Sequence, residues 1–177
     1  MAKLYYRYGT MGSAKTLNLL AVRHNYELQG KPVILLKPAM DTRFGDSLVK
    51  SRAGLEHEAD ILVSENTVID RDKLKGIYCI LADECQFLSE FVVNQLRDIT
   101  VSLNIPVIAY GLRTDFQTHL FEGSRRLMEI SDSIEEIKNT CQFCDRKATQ
   151  NLRHDKEGKA ITDGDVILLG TDRKSVV

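Results

Sequence analysis

Three short stretches carry residue types whose spacing could act on a phosphate or a metal. Gly9-Thr10-Met11-Gly12-Ser13-Ala14-Lys15-Thr16 supplies a glycine, four free positions, and then a lysine and a threonine. That is the pattern of a phosphate-binding loop except at its second glycine, where Ala14 stands. Successive backbone N–H groups in such a loop face an anion, and the Lys15 ammonium adds charge beside the β- and γ-phosphates. The Thr16 hydroxyl suits Mg²⁺. Ala14 is the weak point, because a Cβ is costly wherever the loop requires a positive φ. The second stretch, Asp83-Glu84-Cys85-Gln86, follows the apolar run Ile77-Tyr78-Cys79-Ile80-Leu81-Ala82. Two adjacent carboxylates at the end of a buried strand are poor packing residues. Paired with a phosphate loop they suit a nucleotide site, Asp83 serving the metal and Glu84 deprotonating the nucleophile. The bland alternatives are a glycine-rich turn that caps a helix, and acids that cap the helix starting near Phe87. The third stretch, Cys141-Gln142-Phe143-Cys144, offers two thiols, half of a structural zinc set.

These residues have to be held by strands and helices, and the apolar pattern predicts which. The run over 4–8 hands over to the loop as a strand would, and apolar residues keep helical spacing over 17–28, where Gly30 and Pro32 end the helix. Continuous apolar runs over 33–36 and 77–82 predict strands covered on both faces, and the apolar run over 105–110, interrupted early by Pro106, predicts a third. Residues 61–63 predict a short strand and 70–75 a short helix. Helices are expected over 87–103 and 124–130, and 134–137 is open between strand and helix. The segment 38–58 is long, polar and without periodicity, which suits a lid over the site. Gly111-Leu112-Arg113-Thr114-Asp115-Phe116-Gln117 is another strand-end loop. After Cys141 the pattern changes to short alternating runs around Leu152 and over 166–169 that could pair as a small sheet. Alternating strands and helices followed by a cysteine pair predict an α/β domain over 1–138 and a small appendage over 139–177.

A chain of 177 residues is long enough for one well-buried domain with such an appendage. Its 28% charged and 43% apolar residues are those of an ordinary soluble protein. A formal charge of −1 gives no reason to expect a nucleic-acid or anionic-membrane partner. The absence of a membrane-length apolar stretch or a leader pattern predicts a cytoplasmic protein. In that compartment the four cysteines are expected free, catalytic or metal-bound rather than bridged.

Taken in order, these motifs resemble the small, tetrameric, zinc-containing thymidine kinases of bacteria and animals, over nearly the whole chain. The resemblance rests on the phosphate loop with Met11 inside it, Asp41-Thr42-Arg43, Asp83-Glu84-Cys85-Gln86-Phe87, and Tyr110-Gly111-Leu112-Arg113-Thr114-Asp115-Phe116. Phe121 with Gly123-Ser124, and Cys141-x-x-Cys144 leading into Arg146-Lys147-Ala148, complete it. It implies a P-loop NTPase-like, mostly parallel sheet flanked by helices, with a zinc-knuckle or lasso-like appendage at the C-terminal end. It also implies transfer of the γ-phosphoryl group of ATP to the 5′-hydroxyl of thymidine, and a homotetramer. Glu84 matches the catalytic base, Asp83 the Mg²⁺-associated acid and Arg43 the arginine that approaches the phosphates. Met11, Leu112, Phe116 and Phe121 match the lining of the thymine pocket.

The family pattern departs at two places. Ala14 replaces the glycine, and the family's second pair of zinc ligands and its lid aromatic have no counterpart after Cys144, where His154 is the one later candidate ligand. The expectation is therefore zinc weakly held or absent and an incomplete nucleoside lid. Two other readings stay open: a helicase-like P-loop ATPase or switch, suggested by Asp-Glu-x-Gln after an apolar strand, and a catalytically weak nucleotide-binding homologue.

Overall fold

In chain order the elements are β1 (Leu4–Tyr8), α1 (Lys15–Leu28), β2 (Val33–Pro38), β3 (Leu48–Lys50), β4 (Glu56–Glu58), β5 (Ile61–Val63) and β6 (Cys79–Ala82). They continue with α2 (Glu90–Ser102), β7 (Val107–Gly111), α3 (Glu122–Ile130), β8 (Ser133–Glu136), β9 (Asn151–Arg153) and β10 (Lys174–Val176). The computed structural model describes residues 1–41, 45, 47–155, 157–166 and 174–176. Six strands form one sheet in the order β5-β2-β6-β7-β1-β8, with every pairing parallel.

The apolar runs make these strands because both faces of the sheet are covered. On one face Tyr6, Leu36, Ile80, Val107 and Ala109 pack with Val92 and Leu96 of α2 and Leu127 of α3. The alternate residues, Leu35, Cys79, Leu81, Ile108 and Tyr110, pack with Leu19 and Leu20 of α1 on the other. Residues two apart share a face, so one unbroken apolar run serves both layers. At 134–137, open between helix and strand, the chain pairs beside β1 as the parallel edge strand β8.

Element boundaries shift where a backbone feature overrides periodicity. The first helix begins at Lys15 rather than 17, because the end of the phosphate loop is already its first turn. Its other end is closed by Gly30, φ 68°, with Lys31 N–H donating to the Tyr26 carbonyl at 3.0 Å, a left-handed helix stop. The helix expected from 87 starts at Glu90, since Ser89 caps it by accepting from Val92 N–H at 3.3 Å and residues Cys85–Phe87 form a separate 3-10 turn. The expected lid over 38–58 is partly regular: β3 and β4 pair as an antiparallel hairpin. Val49 anchors it, 3% exposed and in the same cluster as Leu19 and Leu20. The small sheet after the cysteine pair joins β9 to β10; of the run expected over 166–169, only Val166 is among the described residues. No helix among the described residues is long and apolar enough to cross a membrane.

Candidate active site

Strands β1, β6 and β7 end at the same edge of the sheet, where ligands gather in open parallel folds. The loop after β1 and the acids after β6 meet there, although β7 lies between their strands. A cleft of about 420 Å³ opens between them, lined by Met11, Lys15, Thr16, Asp83, Glu84 and Leu112 on the sheet side. Its opposite wall is the β3 side of the hairpin, from Leu48 to Ala53, together with Asp41.

The loop is shaped by its own carbonyls. Lys15 Nζ donates to the carbonyls of Thr10 at 2.7 Å and Gly9 at 3.2 Å and to Ser13 Oγ at 3.3 Å, so the ammonium is held across the loop mouth. Gly9 N–H donates to the Gly111 carbonyl, tying the loop to β7. Gly12 and Ala14 line the cleft, whereas Thr10 and Ser13 are buried behind it. Ala14 has φ 60° and ψ 29°, the left-handed conformation in which its Cβ costs about 1–2 kcal/mol. Ala14→Gly should therefore raise stability by about 1 kcal/mol and the melting temperature by about 2–4 °C, after allowing for glycine's greater freedom when unfolded. A calorimetric scan showing an unchanged or lower melting temperature would contradict this.

Thr16 Oγ1 donates to Asp83 Oδ2 at 3.1 Å, bringing the loop hydroxyl and the strand-end carboxylate together. Asp83 is 5% exposed, and burial, reinforced by the neighbouring Glu84 carboxylate, pushes its pKa up to about 7. Such a carboxylate calls for a counter-charge, and its oxygens with the Thr16 hydroxyl are hard donors of the kind Mg²⁺ takes. Glu84 lies in the left-handed region, φ 47°, at the turn that ends β6, which lets it and Asp83 face the cleft despite being adjacent. Its carboxylate accepts from Gln86 Nε2.

Other residues singled out by the sequence fall elsewhere. The Cys85 side chain is fully buried behind Gly111, with a thiol pKa raised chiefly by burial, and does not line the cleft. Gln86 is also buried, 2% exposed, its Oε1 accepting from Leu112 N–H at 3.0 Å. Phe116 is half-buried under the Arg153 guanidinium at 5.3 Å, and Phe121 packs edge-to-face on Phe87 at 5.7 Å. Neither ring lines the cleft, whereas Met11 and Leu112 do. Arg43 lies outside the described residues.

The thiols of Cys141 and Cys144 sit in a tight turn in which Phe143 N–H donates to Cys141 Sγ at 3.3 Å, and that hydrogen bond lowers the Cys141 pKa. A stabilised thiolate suits a soft metal, but among the described residues no group of three or more His, Cys, Asp or Glu side chains gathers as a metal site.

Two contributions carried no sequence signal as site features. Asn151 Oδ1 accepts from Met11 N–H at 2.8 Å and Asn139 Nδ2 donates to the Met11 carbonyl at 3.1 Å, so the segment after β8 braces the phosphate loop. Arg52, at the hairpin tip, brings Nη1 to 3.9 Å from where a Gly12 side chain would begin. The turn that carries it is fixed by Ser51, whose N–H donates to the Leu55 carbonyl at 2.8 Å and whose Oγ accepts from Leu55 N–H at 3.1 Å.

A phosphate loop facing paired acids is shared by many nucleotide enzymes, so the whole chain has to decide among them. The family model described as thymidine kinase matches residues 2–174. The chain belongs to the thymidine kinase family. A thymidine kinase of Streptococcus pyogenes serotype M28 is 49% identical over 174 residues, covering 96% of this chain and 90% of the relative. One from Streptococcus agalactiae serotype Ia is 46% identical over 172 residues, with the same coverage. Among solved structures, a Pif1 helicase from Candida albicans aligns with a TM-score of 0.45 at 16% identity, over 78% of this chain and 36% of that one. Membership of the thymidine kinase family makes this chain a phosphotransferase and sets the helicase-like reading aside.

Proposed function

We infer that the chain transfers the γ-phosphoryl group of ATP to the 5′-hydroxyl of thymidine, with Glu84 as the base that takes the hydroxyl proton. The observation that carries this reading is the single cleft shared by Lys15, Thr16, Asp83 and Glu84, with Met11 and Leu112 as its apolar part. Phosphoryl transfer needs positioning and charge neutralisation more than covalent help from the protein. Lys15 supplies a cation at the loop mouth; the N–H groups of Gly9, Met11 and Ser13 are bonded to Gly111, Asn151 and Thr10, so the loop's remaining N–H groups are the ones that would face a phosphate. Thr16 and Asp83 would hold Mg²⁺, which would supply neutralisation of the phosphate charge. Glu84 sits beside that site, on the turn after β6, where a nucleoside alcohol would meet the γ-phosphate. Arg43 belongs to the proposal through the family motif alone, as do Phe116 and Phe121 against the thymine ring. Cys141 and Cys144 would contribute two of zinc's four ligands, and no step in the transfer runs through them.

Arg52 joins the reading as a further phosphate-facing cation, delivered across the cleft by the hairpin. Arg52→Ala should raise the KM for ATP roughly tenfold, the equivalent of one charge-assisted hydrogen bond at a solvent-accessible site, with less change in kcat. An unaltered KM for ATP would remove Arg52 from phosphate binding.

A crystal structure with thymidine and a non-hydrolysable ATP analogue tests the arrangement as a whole. The Glu84 carboxylate should stand about 2.6–3.2 Å from the thymidine 5′-oxygen, or one water away. A carboxylate turned away from the deoxyribose would overturn the assignment.

A further inference from the structure

We propose that Gln86 is a positioning residue that ties the Glu84 carboxylate to an immobile peptide group at the end of β7. The proposal rests on Glu84 being the base. A glutamine side chain has both a donor and an acceptor, and here each is used: Nε2 donates to Glu84 Oε2, and Oε1 accepts from Leu112 N–H at 3.0 Å. At 2% exposure, water does not compete effectively for either bond.

The far end of the tether is itself fixed. The Leu112 carbonyl accepts from Tyr6 Oη at 2.8 Å and from Ser124 Oγ at 2.6 Å, and both donor residues are 0% exposed. The Leu112 backbone is thus held on both of its polar groups by buried side chains. Gly111 makes room for the arrangement. A Cβ there would stand 2.6 Å from Gln86 Oε1, 2.6 Å from Cys85 Sγ and 3.0 Å from Gln86 N. Glu84 is a non-glycine residue in the left-handed region, a conformation that persists only where its surroundings hold it. The chain Tyr6 and Ser124 to Leu112 to Gln86 to Glu84 therefore runs from the core of the sheet to the carboxylate in the cleft.

The plainer role for Gln86 is to satisfy Leu112 N–H and nothing more. Gln86→Glu keeps both bonds, since a carboxyl buried beside Glu84 holds its proton, accepts from Leu112 N–H and donates its O–H to Glu84. Gln86→Met keeps the volume and loses both. For these variants, for Glu84→Gln and for the double variant Glu84→Gln/Gln86→Met, kcat, the KM for thymidine and the melting temperature would be measured. Gln86→Met should lose about 10²-fold in kcat, the cost of a base displaced by about 1 Å, with the KM for thymidine within about threefold of the parent value, whereas Gln86→Glu should stay within about tenfold of the parent in kcat. The double variant should be no slower than Glu84→Gln, because the tether then has no base to place. Retention of kcat by Gln86→Met overturns the proposal. So does a joint loss of kcat and thymidine binding in Gln86→Met, or losses that multiply in the double. Full turnover in Glu84→Gln alone would sink the reading of Glu84 as base rather than the tether.

Discussion

Glu84→Gln is expected to lower kcat for thymidine phosphorylation by about 10²–10⁴-fold, the usual contribution of a positioned general base. The amide matches the carboxylate in shape and can still accept from Gln86 Nε2, so the turn after β6 has no steric reason to move. Substrate affinities should therefore change little, and the loss should fall on the chemical step. The size of the effect depends on how much of the barrier is proton removal rather than charge neutralisation, which Lys15 and the cation site supply independently. Steady-state kinetics with thymidine as acceptor reads this directly. A turnover number equal to that of the parent would exclude Glu84 as the base.

Asp83→Asn should produce a paired outcome, a loss of activity of at least about 10³-fold together with a gain in stability of the ligand-free protein. The stability half follows from burial. With its pKa raised to about 7 from an ordinary 3.8, the folded protein binds more protons at this site than the unfolded chain does across that interval. Stability then falls as pH rises from about 4 to about 7 and levels off above, the reverse of the behaviour of a salt-bridged aspartate. Asparagine removes the ionisation while its side-chain oxygen still accepts from Thr16 Oγ1, so the gain should be larger at pH 8, where it reaches the order of a few kcal/mol at most, than at pH 5. Nucleotide with Mg²⁺ should stabilise the parent protein and not the variant, because the cation offsets the buried charge. Melting curves at the two pH values test this. A variant that is less stable than the parent at pH 8, or whose gain is equal at both, would contradict it.

Much of the fold was legible because a sheet covered on both faces writes itself as continuous apolar runs. β2, β6 and β7 were visible on that ground, and the phosphate loop and Asp83-Glu84 were visible because their polar residues interrupt such runs at the strand ends. The hairpin β3–β4 was not, since its outer residues Glu56 and Glu58 are exposed and only Val49 packs into the core. Arg52 was hidden with it, because its role depends on where the hairpin tip falls rather than on its neighbours in sequence. Asn139 and Asn151 act on the phosphate loop from far along the chain, and a single asparagine has no sequence pattern that announces such a partner. The strand-end glycines are a middle case: Gly111 stood out within its motif, but the reason for it, the closeness of Gln86 and Cys85, appears only once β6 and β7 are side by side.

The central claim is that one cleft brings a triphosphate and a nucleoside alcohol together. Incubation with ATP labelled in the γ-phosphate, with thymidine, with single-stranded DNA or with neither, tests it most directly. The label should appear in thymidine 5′-monophosphate, only when thymidine is present, and DNA should add nothing. Release of labelled inorganic phosphate stimulated by DNA, with no labelled thymidylate, would contradict the account.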